Sequence, residues 1–273
     1  MNPFSAPKTG NTPALVLRAS TLAYLGVMVV LPLTALTIQA FQPGTASFWQ
    51  AVTDPFAWHA IRLTFTTALV MVAINALMGT MTAWVLVRYD FPGKGLMNAL
   101  IDLPFAVPTV VTGLMLVALY GPSSTLGTIL GRAGFAVIYQ QPGIVLALLF
   151  VTYPFVIRTV QPVLLEIDRG EEEAGATLGA TPWTVFRRIT LPTLFPSILT
   201  GTALAFSRAL GEFGSVVMVA GNRPLETKTG AMYVFGEIES GNRHGAMVVS
   251  VVLLAVSLGI LVVLNLVQRG RKD

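Results

Sequence analysis

Long apolar runs separated by short polar segments make up most of the chain, and six of these runs are long enough to cross a bilayer. They lie at about residues 19–40, 64–87, 103–120, 143–160, 195–220 and 246–267. Each has close to the ~20 residues that a hydrocarbon core of ~30 Å requires. Inside a bilayer such segments form helices, because a helix satisfies its own backbone hydrogen bonds. The pattern predicts an all-α integral membrane protein with six transmembrane helices.

Two of the runs have a second interpretation. The first run resembles a cleaved signal peptide, but it is longer than a typical signal core and its removal would leave an odd number of spans. The third run contains Pro104 and Pro108, which lack backbone donors, so we expect its helix to be broken. Asp102 at its start either caps a helix that has Pro104 in its first turn or lines a polar pathway.

The polar ends of the chain set the domain boundaries. Residues 1–15 combine prolines and a glycine with small polar residues, which is typical of a disordered tail. Residues 16–268 form the predicted membrane domain, and residues 269–273 form a basic tail.

Composition excludes several classes of protein. With 54% hydrophobic and 11% charged residues, the chain is too apolar for an ordinary soluble domain. It has no cysteine, which excludes disulfides and thiolate metal sites, and its two histidines are too few for a histidine-rich cluster. The net charge of +4 does not indicate nucleic-acid binding, because the basic residues mostly flank the apolar runs.

The distribution of Lys and Arg predicts the orientation. If the N-terminus is inside, eleven of the 17 basic residues lie on the cytoplasmic side, five lie outside, and Arg208 lies within the fifth run. Cytoplasmic loops of membrane proteins carry this excess of positive charge. Both termini and the loop at residues 165–194 are therefore expected in the cytoplasm.

This loop reads as two short helices joined by a sharp turn. Asp168 is placed to cap the first helix, with Glu171 three residues later as its partner in a capping box. Gly179 stands where a left-handed residue ends a helix, and Thr181 precedes a proline as the cap of the second helix.

The second helix of the loop carries an apolar stripe. Trp183, Phe186 and Ile189 recur every three residues. Arg187 and Arg188 lie near the expected C-terminus of this helix. Such a stripe in an aqueous loop indicates a docking surface for another protein. The alternative is a lid folded back on its own membrane domain.

The loop also carries a recognisable motif. The strings EAGATLG at residues 173–179 and ITLP at 189–192 resemble the EAA loop of the inner-membrane subunits of binding-protein-dependent ABC importers. Gly175 departs from that pattern, which usually has a second alanine, and is expected to loosen the first helix slightly. The resemblance implies a type I (MetI-like) permease fold in which the loop inserts into a groove of a cytosolic ATPase. The implied contact residues are Glu173, Ala174, Gly179, Trp183, Phe186, Ile189, Leu191 and Pro192.

A wider resemblance extends over about residues 31–268. The strings at residues 102–109, 154–162, 207–214 and 219–222 resemble sulfate/thiosulfate permeases of the CysT type. This implies a bacterial inner-membrane subunit that works with a second, homologous permease, two cytosolic ATP-binding subunits and a periplasmic sulfate-binding protein. Molybdate or tungstate permeases of the same family are the alternative, because elementary physics does not separate two tetrahedral dianions.

Arg208 and Glu212 are the candidate residues of a substrate path, together with Asp102. The first two are four residues apart and can pair on one helix face, so they either lock helices together or serve a passing anion. An ion-coupled secondary transporter is the alternative from another class, although no clear internal repeat supports it. Neither a phosphate-binding loop nor a hydrolase motif occurs, so we expect no enzymatic site and no cofactor, with ATP bound by a partner.

Overall fold

The computed structural model describes residues 11–269, with side chains for residues 14–266, and the regular elements of this part of the chain are all helices. In chain order the α-helices are α1 (Asn11–Leu25), α2 (Leu31–Phe41), α3 (Thr45–Thr53), α4 (Pro55–Arg88), α5 (Lys94–Ala106), α6 (Thr109–Tyr120), α7 (Thr125–Arg132), α8 (Gln141–Glu166), α9 (Arg169–Thr177), α10 (Pro182–Val185), α11 (Leu191–Leu210), α12 (Gly214–Ala220), α13 (Gly230–Glu239) and α14 (Arg243–Arg269).

Among the described residues, five helices are long and apolar enough to cross a membrane. They are Ala14–Phe41, Pro55–Arg88, Gln141–Glu166, Pro182–Leu210 and Arg243–Leu266. The pair α5 and α6 passes the same test together, although the two helices are bent by 115°, and counts as a sixth span if taken as one. The all-α membrane fold is confirmed, with five continuous spans and a sixth, broken one if α5 and α6 are counted together.

The break in the third span lies at the expected proline. α5 ends at Ala106, and α6 starts after Pro108, whose backbone is extended at φ −55° and ψ 135°. Of the two alternatives for Asp102, the helix cap is wrong, because Asp102 lies in the interior of α5. This helix begins earlier, at Lys94, because Gly93 adopts a left-handed conformation at φ +88° and starts it there.

The prediction of a short second loop helix with a separate span at residues 195–220 is wrong. The chain is helical without interruption from Pro182 to Leu210, so Arg187 and Arg188 lie within a helix and not near its end. A π-helical turn, Phe186–Thr190, precedes Pro192 in this helix. The wider turn lets a helix pass a residue that cannot donate to the preceding turn. The first span repeats this arrangement, with the π turn Gly26–Val30 ahead of Pro32.

The fifth span ends ten residues before its predicted boundary. α11 stops at Leu210, and α12 begins at Gly214 as a separate short helix. The apolar character of residues 214–220 extended the predicted span, but the non-helical residues 211–213 divide the two helices.

Helix α8 lies at the centre of the bundle, between α4 and α11. A Cβ added at Gly79 of α4 would lie 2.9 Å from the Val156 Cβ of α8. On α11, a Cβ added at Gly201 would lie 2.8 Å from the Val156 Cα and still closer to the Thr159 Oγ1. Small residues let the backbones of membrane helices approach closely. Glycines of α4 and α11 therefore clamp α8 at the level of Val156.

The described ends differ from the predicted tails. α1 begins at Asn11, which shortens the predicted N-terminal tail by residues 11–15, and a proline at position 13 is tolerated in a first helical turn. α14 extends to Arg269, the first residue of the predicted basic tail. Residues 1–10 and 270–273, where the rest of both tails falls, lie outside the described residues.

Candidate functional site

The charged loop begins with α9, whose N-terminus is capped as predicted. The Asp168 carboxylate accepts a hydrogen bond of 2.8 Å from the Gly170 N–H. The Glu171 N–H donates to the Asp168 carbonyl at 3.2 Å, but the reciprocal side-chain bond of a capping box is not among the hydrogen bonds of the described residues. The carboxylates of the first turn also face the positive end of the helix dipole, which stabilises them there.

The turn after α9 depends on a left-handed glycine, as the sequence indicates. Gly179 has φ +86°, and its N–H donates to the Ala176 carbonyl at 2.9 Å. No atom lies within 4 Å of a Cβ added at this glycine, so a side chain here costs conformational energy without a clash. The Thr181 hydroxyl then accepts from the Thr184 N–H at 3.3 Å and caps α10. Both helices of the loop start where their caps are predicted.

The predicted apolar stripe divides into an outer and an inner part. Trp183 is 66% exposed and stacks on Phe186, with ring centroids 5.6 Å apart. Phe186 is half-buried and meets Trp84 of α4 edge-on at 5.4 Å, while Ile189 is half-buried as well. The outer residue is available to a partner, and the inner ones fix α10 to the membrane helices.

A second exposed apolar side chain of the loop was missed from the sequence. Leu178 is 89% exposed, and with Trp183 it forms what we call the docking patch. The signal was available, because Leu178 is the one large apolar residue in the string EAGATLG. Of the remaining candidate contact residues, Glu173, Ala174 and Pro192 are exposed and Leu191 is half-buried.

A polar cluster, which we call the loop joint, ties α9 to the membrane helices. Glu172 Oε1 accepts from Arg88 Nη2 at 2.6 Å and from Thr190 Oγ1 at 2.8 Å. The joint therefore connects the end of α4, the first turn of α9 and the π turn before α11. Sequence reasoning missed it because its members are up to 102 positions apart and no local pattern brings them together.

Gly175 brings α9 close to the next helix. A Cβ added at this position would lie 3.1 Å from Ile189 Cδ1 and 3.4 Å from Val185 Cγ2. We expected the glycine to loosen α9, but the structure uses it for tight packing. An alanine here would push the neighbouring side chains back by a few tenths of an ångström.

The predicted pair of Arg208 and Glu212 forms, although not on one helix face. Arg208 lies in the last turn of α11, and its Nη1 is 2.7 Å from Glu212 Oε2 in the break that follows. The other carboxylate oxygen accepts from the N–H and the hydroxyl of Ser215, both at 2.9 Å. Glu212 is 2% exposed and Arg208 37% exposed at the side chain. The pair thus joins a buried carboxylate to a partly open guanidinium.

Beside the Arg208–Glu212 pair, α6 and α12 pack against each other, and each of these short helices follows a break in a span. A Cβ added at Gly113 of α6 would lie 2.7 Å from the Met218 Cβ of α12. At the start of α12, a Cβ added at Gly214 would lie 3.1 Å from the Val110 N and closer still to Thr109. Glycines on both helices therefore bring the beginnings of α6 and α12 together where the third and fifth spans are broken.

Asp102 belongs to a different cluster. Its carboxylate binds Arg158 of α8 at two points, 2.7 Å from Nε and 2.6 Å from Nη2, and the same guanidinium donates to Asn98. Among the described residues it shares no hydrogen bond or ion pair with Arg208 or Glu212. No group of three or more His, Asp and Glu side chains in the described part of the chain is arranged to hold a metal ion.

Comparisons with known proteins agree with this architecture. The model of the family described as "Binding-protein-dependent transport system inner membrane component" matches residues 75–270. A probable sulfate transport system permease protein cysT of Chlorokybus atmophyticus is 44% identical, covering 91% of this chain and 87% of that protein. The sulfate transport system permease protein CysT of Escherichia coli (strain K12) is 40% identical, covering 91% and 90%. That of Synechocystis sp. is 42% identical over 273 residues, covering 100% and 94%.

Solved structures share the fold at low sequence identity. A chain of a bacterial alginate ABC transporter, in complex with an alginate pentasaccharide-bound periplasmic protein, superposes with a TM-score of 0.78 at 18% identity and covers 96% of both chains. A chain of the MetNI methionine ABC transporter in an inward-facing conformation superposes with a TM-score of 0.57 at 18% identity, covering 83% of this chain and 98% of that one. These similarities establish the helical architecture alone.

Proposed function

The chain belongs to the family of binding-protein-dependent transport system inner membrane components, and from this membership we propose that it is the membrane-spanning permease subunit of an ATP-driven sulfate importer. One observation supports sulfate as the substrate: three relatives named as sulfate transport permeases are 40 to 44% identical to this chain over 91% or more of its length. Thiosulfate has similar size and charge and is included in the proposal.

ATP hydrolysis is assigned to a separate cytosolic subunit. The sequence has no Gly-x-x-x-x-Gly-Lys-Ser/Thr loop, the motif whose backbone cradles the phosphates of a nucleotide. The docking patch of Leu178 and Trp183, with the exposed Glu173 of α9, is proposed as the surface that the ATPase holds. Exposed apolar side chains at a rigid, capped turn suit a protein interface, because their burial there is favourable.

Arg208 is the residue proposed to meet the anion. A guanidinium at membrane depth must face protein or water, and this one is partly open while its charge is balanced by Glu212. The balance keeps the attraction for a passing dianion weak enough for release, which conduction requires. Irregular backbone at membrane depth is tolerated where it lines a cavity, so the nearby breaks at residues 107–108 and 211–213 also favour a path at this point.

The complete importer is proposed to contain a second homologous permease, two ATPase subunits and a periplasmic sulfate-binding protein. The chain would lie in the bacterial inner membrane with both termini in the cytoplasm. The alginate transporter that shares this fold was solved together with a periplasmic protein, which supports this kind of assembly.

Uptake of radiolabelled sulfate tests the proposal. A bacterial strain that lacks its own sulfate permease, but retains the other subunits, should recover sulfate uptake when this chain is expressed. Excess thiosulfate should compete, whereas phosphate should not. Stronger competition by molybdate than by unlabelled sulfate would assign the chain to the molybdate permeases instead. Uptake that persists without the ATPase subunits would indicate an ion-coupled transporter.

A further inference from the structure

Helix α9 is attached to the membrane helices at few points. None of its residues is buried, and the side chains of Glu171, Glu173 and Ala174 are exposed. Its inward attachments are the close packing of Gly175 and the loop joint at Glu172. A helix held in this way is positioned by those attachments more than by a hydrophobic core.

The joint itself is well shielded from water. The side chains of Arg88 and Glu172 are 10% and 20% exposed, and the Arg88 guanidinium lies 5.1 Å from the centre of the Trp84 ring. Among the described residues, Arg88 Nε is buried without a hydrogen-bond partner. The ion pair with Glu172 is therefore the main compensation for a desolvated charge, and removing one partner would leave the other uncompensated.

The joint connects the loop to α4, a helix that does not adjoin the loop in the main chain. Downstream, α10 is continuous with α11, so movement of the loop reaches the fifth span through the backbone itself. The second span, α4, has no such continuity, and it reaches the loop through Arg88 and through Trp84 against Phe186. Because Arg88 is the last residue of a helix of 34 residues, a displacement there acts on a rod ~50 Å long.

We propose that Glu172 is a positioning residue that couples movement of the ATPase-bound loop to α4 through Arg88 and Thr190. The inference rests on the proposed function and adds to it a second route from the loop into the membrane helices. Loss of the joint would uncouple ATP hydrolysis from transport without detaching the ATPase.

A matched pair of substitutions tests this role in the complete transporter, reconstituted with its ATPase and binding protein. Glu172→Gln removes the charge at the joint, whereas Glu171→Gln makes the same change one residue earlier on an exposed side chain. Glu172→Gln should retain the bound ATPase and its basal hydrolysis but move about tenfold less sulfate per ATP, within the usual range of coupling between sites. Glu171→Gln should behave like the unmodified protein.

Covalent repair of the joint distinguishes coupling from mere stability. The chain has no cysteine, so Arg88→Cys with Glu172→Cys introduces its only two thiols. In the reduced state this variant should be as uncoupled as Glu172→Gln, and a short bifunctional thiol reagent should restore sulfate transport per ATP. Normal coupling of Glu172→Gln, or no recovery after confirmed cross-linking, would overturn the inference. Failure of the unmodified transporter to move sulfate would instead refute the proposed function.

Discussion

Arg208 at the end of α11 and Glu212 in the break before α12 form an ion pair, with Nη1 and Oε2 2.7 Å apart. The carboxylate has a second task, because its other oxygen accepts two hydrogen bonds from Ser215 and so holds the start of α12. Among the described residues Arg208 forms no other ion pair, and its side chain stays partly open. The structural role and the proposed anion role thus fall on different partners and can be separated by substitution.

Replacing both members of this pair should abolish sulfate movement without unfolding the protein. In Arg208→Met with Glu212→Gln no charge remains unpaired, and the glutamine oxygen can still accept from Ser215. We expect this variant to insert, bind its ATPase and hydrolyse ATP while moving little sulfate. Arg208→Met alone should be destabilised by about 3 kcal/mol, because it leaves a buried carboxylate without its partner. Near-normal uptake in the double variant would show that the pair is structural.

The clamp on α8 predicts a large effect of a single methyl group. Gly201→Ala should lower the stability by about 1–3 kcal/mol, because the added Cβ would meet the Val156 backbone and cannot be accommodated by rotation of a side chain. Thermal unfolding in detergent measures this as a lower midpoint. Gly259→Ala in α14 is the control, since nothing lies within 4 Å of its added Cβ and alanine favours helices. Equal midpoints for the two variants would contradict the close approach.

The docking patch predicts a defect in coupling without a defect in insertion. Trp183→Ala should weaken binding of the ATPase and reduce substrate-stimulated hydrolysis, because it removes apolar surface that a partner would bury. Trp49→Ala is a matched control, since Trp49 is 63% exposed and Trp183 66% exposed. Copurification of the ATPase and stimulated hydrolysis are the measurements. If both variants retain full stimulation, the loop is a lid on its own membrane domain.

Gly179 tests the turn of the same loop. Its φ of +86° costs a residue with a side chain roughly 1 kcal/mol or more, although nothing would clash. Gly179→Glu should therefore displace the docking patch and abolish stimulated hydrolysis, while the permease still inserts at its normal level. Gly95→Glu is the control, because that glycine has open space around it and no positive φ. Full stimulation in Gly179→Glu would show that the turn geometry is not needed.

Features that depend on local sequence could be predicted, and the structure confirms them. The caps at Asp168 and Thr181 and the positive φ of Gly179 follow from side-chain chemistry within three residues of each helix end. The broken third span follows in the same way from Pro108. In each case the cause lies within one helical turn, so the sequence contains it.

The corrected features depend on contacts or on competition between elements. The second loop helix was predicted to end near Arg187 and Arg188, but a π turn carries the helix past Pro192 into the fifth span. Nothing in the local sequence distinguishes Glu172 from its neighbours Glu171 and Glu173, and its role follows from Arg88, which lies 84 residues away in the chain. Gly175 looked like a weak point of a helix and is instead a packing contact. Tertiary proximity decides the roles of Glu172 and Gly175, and the sequence pattern does not encode it.

Asp102 should act through stability and not through transport. Its two bonds to Arg158 fix α5 to α8, and Asp102→Asn removes the charge on which both depend. Because the two side chains are 50% and 32% exposed, we expect a loss of only about 1 kcal/mol. Asp90→Asn is the control, since Asp90 is 99% exposed and its pair with Lys94 is local to one turn. If Asp102→Asn has a normal unfolding midpoint but reduced uptake per folded molecule, Asp102 belongs to the substrate path instead.

The excess of basic residues on one side predicts which loops face the cytoplasm. If six spans alternate across the membrane, eleven Lys and Arg lie on the side of the charged loop against five on the other, and such asymmetry orients membrane proteins with the basic side inward. Because the chain has no cysteine, Thr181→Cys and Gly131→Cys each introduce a single exposed thiol. A maleimide that cannot cross the inner membrane should label Gly131→Cys in intact cells and Thr181→Cys only after lysis.

Reporter fusions should agree, with Pro92 cytoplasmic and Gly44 and Glu226 external. Labelling of Thr181→Cys in intact cells would place the charged loop outside, where no ATPase can reach it.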